Sequence, residues 1–339
     1  METYLQAITD VMLPKIEAEL KTVVSEIQIP ALHELNTMLS YHLGWDIGEV
    51  GKPYSGKRIR PLLLLFCTAA AGGNWQAALP AAASLELVHN FSLIHDDIQD
   101  NSPMRRGRPS VWTRWGIPQA INAGDAMYSL AYLAMLRLSS TSTNEITLQA
   151  TRILLDACLR LTEGQYLDIA YETRSEVTLE DYRLMIGRKT ANLISACTKI
   201  GALIASRDEK IIDAFHRFGF ELGLAFQIQD DLLGIWGNVA ITGKSNESDL
   251  ITRKKSFPVI YGLSLKGKFA QRWRQAVIQP QEVAELAAQL EKEGVLEYGM
   301  QEASRHTQNA LTALESANPK MPAGEALRTL TLQLLKRST

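Results

Sequence analysis

Hydrophobic residues recur at helical spacing through most of the chain, and alternating strand-like stretches are scarce. Because residues three and four apart share one face of an α-helix, this pattern predicts helices that bury one side. Helix starts are indicated by Thr178-Leu-Glu-Asp181 and Ser206-Arg-Asp-Glu209, which resemble capping boxes, and by Pro118 and Pro280. Clusters of glycine, proline and asparagine predict loops at 51–56, 72–73, 107–109, 237–243 and 318–319. We therefore expect a nearly all-α fold.

The domain organisation follows from the evenness of this pattern. The 339 residues exceed the usual size of one domain. No shift in composition marks a boundary, and neither a solenoid repeat nor a low-complexity linker is found. We expect a single helical domain over 1–339, with the middle helices in the core and peripheral helices after about Lys266.

Composition and charge limit which binding partners and which cellular compartment we expect. With 46% hydrophobic residues, 21% charged residues and a net charge of -2, neither a disordered chain nor a nucleic-acid-binding tail is indicated. Cys67, Cys158 and Cys197 are widely spaced and form no CxxC pattern, so we expect a reducing, cytoplasmic setting. The N-terminal segment has the pattern of an amphipathic helix and not of a secretory leader. The strongest apolar run, 61–72, is shorter than the roughly 20 residues of a spanning helix, so we expect no membrane span.

Two groups of aspartates carry the most specific chemical signal. Asp96, Asp97 and Asp100 close one apolar stretch, and Asp230 and Asp231 close another. Clustered carboxylates at such places are costly unless cations or water neutralise them. Asp96 and Asp100 lie four apart and therefore share a helix face, which suits Mg²⁺, an ion that accepts a few carboxylates together with waters and phosphates. A solvated acidic surface is the alternative for one copy, whereas two copies favour two acidic walls around metal ions.

Several further motifs of different chemistry surround the aspartates in a fixed order. They are Gly56-Lys-Arg-Ile-Arg-Pro61, Glu86-Leu-Val-His89, Arg105-Arg-Gly-Arg-Pro109, Gly124-Asp125, Gly164-Gln165, Lys189-Thr190, Phe226-Gln-Ile-Gln-Asp-Asp231 and Thr242-Gly-Lys244. Together they resemble the trans-prenyltransferases, or polyprenyl diphosphate synthases, over about 56–258. The resemblance implies an isoprenoid synthase-type helical bundle with a central substrate cavity, and a homodimer. It also implies chain elongation, in which an allylic diphosphate ionises and isopentenyl diphosphate adds through its double bond.

The resemblance also implies the residues of the site. Mg²⁺ would be held by the aspartates of both motifs, which are Asp96, Asp97, Asp100, Asp230 and Asp231. The allylic diphosphate would be held by Arg105, Lys189, Lys244 and Lys254. Isopentenyl diphosphate would be held without metal by Lys57, Arg60, His89 and Arg106, since arginine's planar fork suits phosphate oxygens. Surface charge is the alternative for the lysines, and a core histidine is the alternative for His89.

Two uncharged residues join the catalytic set. The resemblance places Gln227 close to the allylic carbocation and its diphosphate, and Thr190 would orient the diphosphate or stabilise the reacting centre. A helix-interior threonine bonded to its own backbone is the alternative for Thr190. No side chain stands out as the base for the last proton, and the resemblance suggests that released diphosphate takes it.

Product length would be set by whatever closes the tunnel below the first aspartates. Phe91 lies five residues before Asp96, about 7.5 Å along a helix. Ser92 beside it is small, which leaves room that a second aromatic ring would fill. We expect a C20 product, geranylgeranyl diphosphate, ahead of C15 farnesyl diphosphate. Ordinary core packing is the alternative for both residues.

The second acidic motif departs from the family pattern. Gly234 stands where the last aspartate of DDxxD is expected, and Asn238 stands where an acidic residue is frequent. We expect less negative charge and weaker metal affinity there, and a weaker helix end at Gly234. A class I terpene cyclase and a noncatalytic synthase subunit are the competing functions. The intact basic residues Lys57, Arg60, His89 and Arg106 argue against both.

Overall fold

The computed structural model describes residues 2–27, 29–45, 56–237, 249–275 and 277–335. It is helical almost throughout, which confirms the predicted all-α class. In this described part, the strands are β1 (Met104–Arg105) and β2 (Arg108–Pro109), which pair antiparallel with Met104 opposite Pro109. They turn the predicted loop at 107–109 into a small hairpin, and Gly107 supplies its positive φ of 76°.

Contacts between residues divide the chain into two compact units. The first unit comprises Met1–Leu155, Cys197–Ile212 and Asn318–Leu327. The second comprises Asp156–Ala196, Asp213–Ala317 and Arg328–Thr339. The single domain expected over 1–339 stays a prediction.

The first unit is built around one buried helix. Its helices are α1 (Glu2–Val24), α2 (His33–Leu43), α3 (Ile59–Ala70), α4 (Leu79–Gln99), α5 (Val111–Trp115) and α6 (Ile117–Leu136). Helix α4 packs against α3 and α6, and most of its side chains are buried. Ala81, Ala82 and Ala83 are fully buried, and their small side chains let the neighbouring helices approach closely.

Helix α4 also belongs to the one described segment that is long and apolar enough to cross a membrane. This segment is Trp75–Gln99, with a mean hydropathy of 1.2, and 72% of it is buried inside the protein. A helix in the core of a globular protein has the same apolar composition, and the burial of this segment is typical of such a helix. The segment is longer than the run 61–72 that we took as the most apolar.

Helices α7 (Asn144–Thr173) and α9 (Asn192–Ala205) contribute residues to both units. The other helices, which lie wholly or mainly in the second unit, are α8 (Leu179–Ile186), α10 (Glu209–Trp236), α11 (Phe257–Ser264), α12 (Lys268–Trp273), α13 (Val283–Lys292), α14 (Val295–Ser316) and α15 (Ala323–Leu335). A π-helical turn, Gly187–Ala191, joins α8 to α9. One hydrophobic cluster of this unit centres on Tyr182 and Phe257.

The predicted helix starts were correct at two positions and shifted at two others. Thr178 and Asp181 form the expected capping box of α8, and Pro118 lies in the first turn of α6. Pro280 begins a short 3-10 turn before α13. The prediction of a cap at Ser206 was wrong, because α10 begins at Glu209 and the Asp208 side chain accepts a hydrogen bond from Lys210 N at 2.9 Å.

Candidate active site

The first acidic motif forms the C-terminal end of α4 in the first unit. Asp96 is half-buried, and Asp100 is exposed at the C-cap, where its backbone N–H donates to Asp96 O at 2.8 Å. The two carboxylates therefore stand one helical turn apart on the same face, as their spacing predicted. Such a pair provides oxygen donors for a cation while leaving most coordination positions open.

Asp97 has a different environment from its two neighbours. Its side chain is buried, and both carboxylate oxygens accept hydrogen bonds from Arg105 Nε at 2.8 Å. Burial raises the pKa of Asp97, and the Arg105 guanidinium opposes that rise. The pair fastens the β1–β2 hairpin to α4, so the geometry favours a positioning role for Asp97 and Arg105. The metal and diphosphate roles given to them by resemblance stay predictions.

The first unit also holds a group of basic side chains. Lys57 is exposed just before α3, Arg60 lies in the first turn of α3, His89 lies in α4, and Arg106 follows β1 with a positive φ of 52°. Arg60, His89 and Arg106 lie close enough for the two arginines to act on the pKa of His89, and His42 of α2 contacts Arg106 through its backbone carbonyl. The role predicted for Lys57 stays a prediction.

Burial strongly affects the titration of Arg60, His89 and Arg106 in this group. Arg60 Nε is buried and has no hydrogen-bond partner among the described residues, and burial lowers the pKa of Arg60. Burial first, and Arg60 and Arg106 next, hold the pKa of His89 well below its usual value. Burial and the neighbouring Arg58 lower the pKa of Arg106 to about 10. A bound anion would relieve both the desolvation of these groups and their mutual repulsion.

The two residues predicted to limit product length lie on α4. The Phe91 ring is 4.8 Å from that of Tyr128 in an edge-to-face contact, and Tyr128 is 4.9 Å from Tyr132. Ser92 is buried, and its hydroxyl donates to His89 O at 2.8 Å. The structure thus places Phe91 in an aromatic row with two tyrosines of α6 that we had not predicted. Their spacing of four residues is the signal that could have found them.

In the second unit, a carboxylate that we had not predicted organises the lysines. Lys189 Nζ lies 2.5 Å from Asp168 Oδ2, and Lys254 Nζ lies 3.7 Å from the same oxygen. Burial opposes the ionisation of Asp168, but Lys254 and Lys189 together lower its pKa. Asp168 therefore holds two predicted diphosphate-binding lysines side by side.

The approach of Lys189 to α7 depends on a glycine. A Cβ at Gly164 would lie 2.2 Å from Lys189 N and 2.6 Å from Lys189 Cα, closer than real Cβ atoms come. Gly164 precedes Asp168 by four residues on α7, so glycine and carboxylate share the face toward the π-helical turn. This spacing after Gly164-Gln165 was the sequence signal for Asp168.

A chain of hydrogen bonds joins the uncharged residues to the second acidic motif. Thr190 Oγ1 donates to Gln227 Oε1 at 2.7 Å, and Gln227 Nε2 donates to Asp231 Oδ1 at 2.8 Å. Asp231 is buried and accepts further bonds from Tyr182 Oη at 2.8 Å and Phe257 N at 2.9 Å. Burial, with a contribution from Asp249, raises the pKa of Asp231 to about 6.

Because of these hydrogen bonds, the two aspartates of the second motif have different environments. Asp231 uses both oxygens within the protein, which favours a positioning role, and its metal role stays a prediction. Asp230 is half-buried on α10, and its predicted metal role stays a prediction too. Thr190 bonds to a side chain and not to its own helix, so the structure disfavours the backbone-bonded alternative.

Another carboxylate lies beside Gly234 in the second motif. A Cβ there would lie 2.6 Å from Asp249 Oδ2. The expectation of less negative charge and weaker metal affinity at this motif stays a prediction. Gly234 lies inside α10, which continues to Trp236. Lys244 and Asn238 lie outside the described residues.

Mg²⁺ is the metal ion that the resemblance implies for these carboxylates. Within the described ranges, no group of three or more histidine, cysteine, aspartate or glutamate side chains forms a metal-binding cluster. Asp96 and Asp100 offer carboxylate oxygens one turn apart, which fits an ion that keeps waters and takes substrate phosphates as its remaining ligands. The residues present therefore fit Mg²⁺ that is bound together with a diphosphate.

Comparison with known proteins gives consistent results. The family model described as "Polyprenyl synthetase" matches residues 50–292. A (2E,6E)-farnesyl diphosphate synthase of Mycobacterium tuberculosis is 39% identical over 303 residues, covering 86% of this chain and 83% of the relative. A geranylgeranyl diphosphate synthase of the same organism is 44% identical over 239 residues, covering 70% and 67%.

A solved structure extends the likeness to the whole fold. The polyprenyl synthetase of Streptomyces coelicolor A3(2) superposes with a TM-score of 0.87 at 34% identity, covering 98% of this chain and 99% of that one. The predicted isoprenoid synthase-type fold is confirmed by this agreement. The ordered motifs, the matched family model and the superposition agree that the chain belongs to the polyprenyl synthetase family.

Proposed function

We propose that the protein is a short-chain prenyl diphosphate synthase that condenses isopentenyl diphosphate with an allylic diphosphate. The observation that carries this proposal is the group of basic side chains Arg60, His89 and Arg106, of which His89 lies on the helix that carries Asp96 and ends beside Asp100. The names of the relatives, farnesyl and geranylgeranyl diphosphate synthases, support the same reaction.

We assign the basic pocket to the acceptor substrate. A diphosphate held by Arg60 and Arg106 needs no metal, because guanidinium groups donate paired hydrogen bonds to phosphate oxygens. His89 is kept neutral by its surroundings and can donate one hydrogen bond. Anchoring the diphosphate in this way would hold the acceptor alkene in a fixed position, which lowers the entropic part of the barrier.

We assign Mg²⁺ and the allylic diphosphate to the first acidic motif, in which Asp96 and Asp100 would hold the ion. Bound magnesium would supply Lewis-acid stabilisation of the departing diphosphate. Lys189 and Lys254 would add positive charge at fixed positions, since Asp168 orients both of them.

The chain Thr190–Gln227–Asp231 would act on the organic part of the substrate. Gln227 donates to Asp231 and accepts from Thr190, so its amide is fixed at both ends. A fixed amide presents an oriented dipole to a developing carbocation without a nucleophilic charge that would trap it. The last proton would leave with the released diphosphate, as the resemblance suggests.

We propose C20 geranylgeranyl diphosphate as the main product, and C15 farnesyl diphosphate is the second candidate. Small Ser92 beside Phe91 supports the longer product, while the aromatic row with Tyr128 supports a limit on growth. The farnesyl diphosphate synthase that matches 86% of the chain supports the second candidate.

A homodimer is proposed as the assembly. Leu148, Leu155, Leu159 and Tyr166 of α7 are exposed by 48% to 72% and recur at intervals of seven and four residues, which places them on one stripe of the helix. An exposed apolar stripe of this length suits self-association. Analytical ultracentrifugation of wild type and Leu159→Asp tests it, and a wild-type monomer would contradict it.

Incubation with defined substrates tests the proposed reaction. Purified protein is given isopentenyl diphosphate, Mg²⁺ and either dimethylallyl, geranyl or farnesyl diphosphate, and products are identified by mass spectrometry. Elongated diphosphates up to C20 are expected. Absence of any elongated product would contradict the proposal, and a hydrocarbon or alcohol from one allylic substrate would indicate a cyclase instead.

A further inference from the structure

We propose that Asn90 is a positioning residue that orients the Arg106 guanidinium toward the acceptor diphosphate without forming an ion pair with it. This inference rests on the proposed function, because it assumes that the basic pocket receives a diphosphate. Asn90 is fully buried in α4, one residue after His89.

The hydrogen bonds of Asn90 determine which way its amide points. Nδ2 donates to Glu86 O at 2.8 Å and to Glu86 Oε1 at 2.9 Å. Both of these partners are acceptors, so the nitrogen must face Glu86 and Oδ1 must face the other side. On that side, Arg106 Nη2 donates to Asn90 Oδ1 at 3.4 Å. The amide therefore links an acidic residue to a basic one without bringing them together.

The remaining contacts of Arg106 are also with uncharged groups. Nη1 donates to His42 O at 3.2 Å, and Gly56 leaves room for Nη2, since a Cβ at Gly56 would lie 3.0 Å from that nitrogen. These contacts fix the plane of the guanidinium through uncharged partners and without a direct ion pair.

The neighbouring carboxylate of Glu86 pairs directly with another arginine. Arg58 Nη1 donates to Glu86 Oε1 at 2.8 Å, and Arg58 Nε donates to Glu17 Oε1 at 2.7 Å. Arg58 is itself buried, so this ion pair is held inside the unit. Asn90 thus stands between the Arg58–Glu86 ion pair and Arg106, which has no direct ion pair with Glu86.

An amide is the side chain that this position requires. An aspartate would place a second carboxylate against Glu86 and would pair with Arg106, which would then compete with an anionic substrate. An alanine would leave the His42 carbonyl as the hydrogen-bond acceptor of Arg106, so that the guanidinium would be less well oriented. Asparagine donates on one side and accepts on the other, and it adds no charge.

Steady-state kinetics of Asn90→Asp and Asn90→Ala test the proposal. The KM for isopentenyl diphosphate should rise about tenfold or more in Asn90→Asp and severalfold in Asn90→Ala. The KM for the allylic diphosphate should stay within about twofold, since that substrate is assigned to other residues. An unchanged KM for isopentenyl diphosphate in Asn90→Ala would overturn the proposal, as would an equal rise for both substrates.

Thr68→Val serves as the matched control for loss of a buried polar group. Thr68 is fully buried in the same unit, and its hydroxyl donates only to Leu64 O of its own helix at 3.0 Å. This variant should keep the wild-type KM for both substrates. A rise in its KM for isopentenyl diphosphate like that of Asn90→Ala would assign the effect to general loosening of the unit and would overturn the specific role of Asn90.

A binding measurement separates failure of this inference from failure of the proposed reaction. Inorganic diphosphate is titrated into each protein in EDTA by calorimetry, so that neither turnover nor metal is required. Wild type and Thr68→Val should bind alike, and Asn90→Asp should bind about tenfold more weakly. Equal binding by wild type and Asn90→Asp would overturn the inference even if elongation is observed, whereas the expected loss without elongation by wild type would contradict only the proposed reaction.

Discussion

Replacing Gly164 by alanine should impair the second unit's part of the site. The added Cβ would start 2.2 Å from Lys189 N and 2.6 Å from Lys189 Cα. Since ordinary contacts of this kind are longer than 3.0 Å, the π-helical turn and α7 must separate by about 1 Å, which is enough to cost on the order of 100-fold in turnover. Forced packing of this kind also costs about 1–3 kcal/mol of the free energy of unfolding.

The assay compares kcat/KM for the allylic diphosphate and thermal unfolding in Gly164→Ala and Gly187→Ala. Gly187 begins the same π-helical turn, but a Cβ there would meet only Phe220 Cζ at 3.5 Å, an ordinary contact. Gly187→Ala should therefore keep wild-type kinetics and gain slightly in stability, by about 0.5–1 kcal/mol. If Gly164→Ala kept both wild-type kcat/KM and wild-type stability, the close approach of Lys189 to α7 would be shown to matter for neither catalysis nor folding, which would refute this reasoning.

Three further predictions concern the first unit. Asp96→Ala should lower kcat by about 10²–10³-fold with little change in unfolding temperature, because it removes metal stabilisation of the leaving group, and near-normal turnover would contradict the role. Tyr128→Ala should lengthen the main product by at least one C5 unit, since it removes the ring against Phe91, and an unchanged product distribution at normal turnover would refute this. Burial, aided by Arg106, holds the pKa of His42 well below 6.5 in the folded protein. As the pH decreases below about 6.5, His42 is therefore protonated in the unfolded state before it is protonated in the folded state, and the free energy of unfolding falls. His42→Gln should remove about 1.4 kcal/mol of that decline in total between pH 7.5 and 5.5, almost all of it below pH 6.5, in denaturant unfolding, and parallel declines would rule it out.

The helices were predictable because their determinants are local. Apolar spacing and the Thr178 capping box act within a few residues, so they appear in the sequence as they do in the structure. The start of α10 was misplaced at Ser206, since Ser206 and Asp208 are both good caps and the choice between them depends on packing.

The sequence allowed us to predict which residues belong to the candidate site, but it did not allow us to predict which of them contact each other. Sequence order identified Lys189 and Lys254 but not Asp168, because an ion pair between helices depends on how they pack. The same limit applied to Gly234, where the carboxylate of Asp249 comes from 15 positions further along the chain (249 minus 234). Asp97 looked like its neighbours in the motif, yet burial against Arg105 separates it from them.

Product analysis with each allylic primer tests the proposed reaction most directly. Purified protein with isopentenyl diphosphate and Mg²⁺ should convert dimethylallyl, geranyl and farnesyl diphosphates to longer diphosphates that stop at C20. The same mixtures in EDTA should give none, because Asp96 and Asp100 act through the metal. Failure to extend any primer in the presence of Mg²⁺ would contradict the assignment.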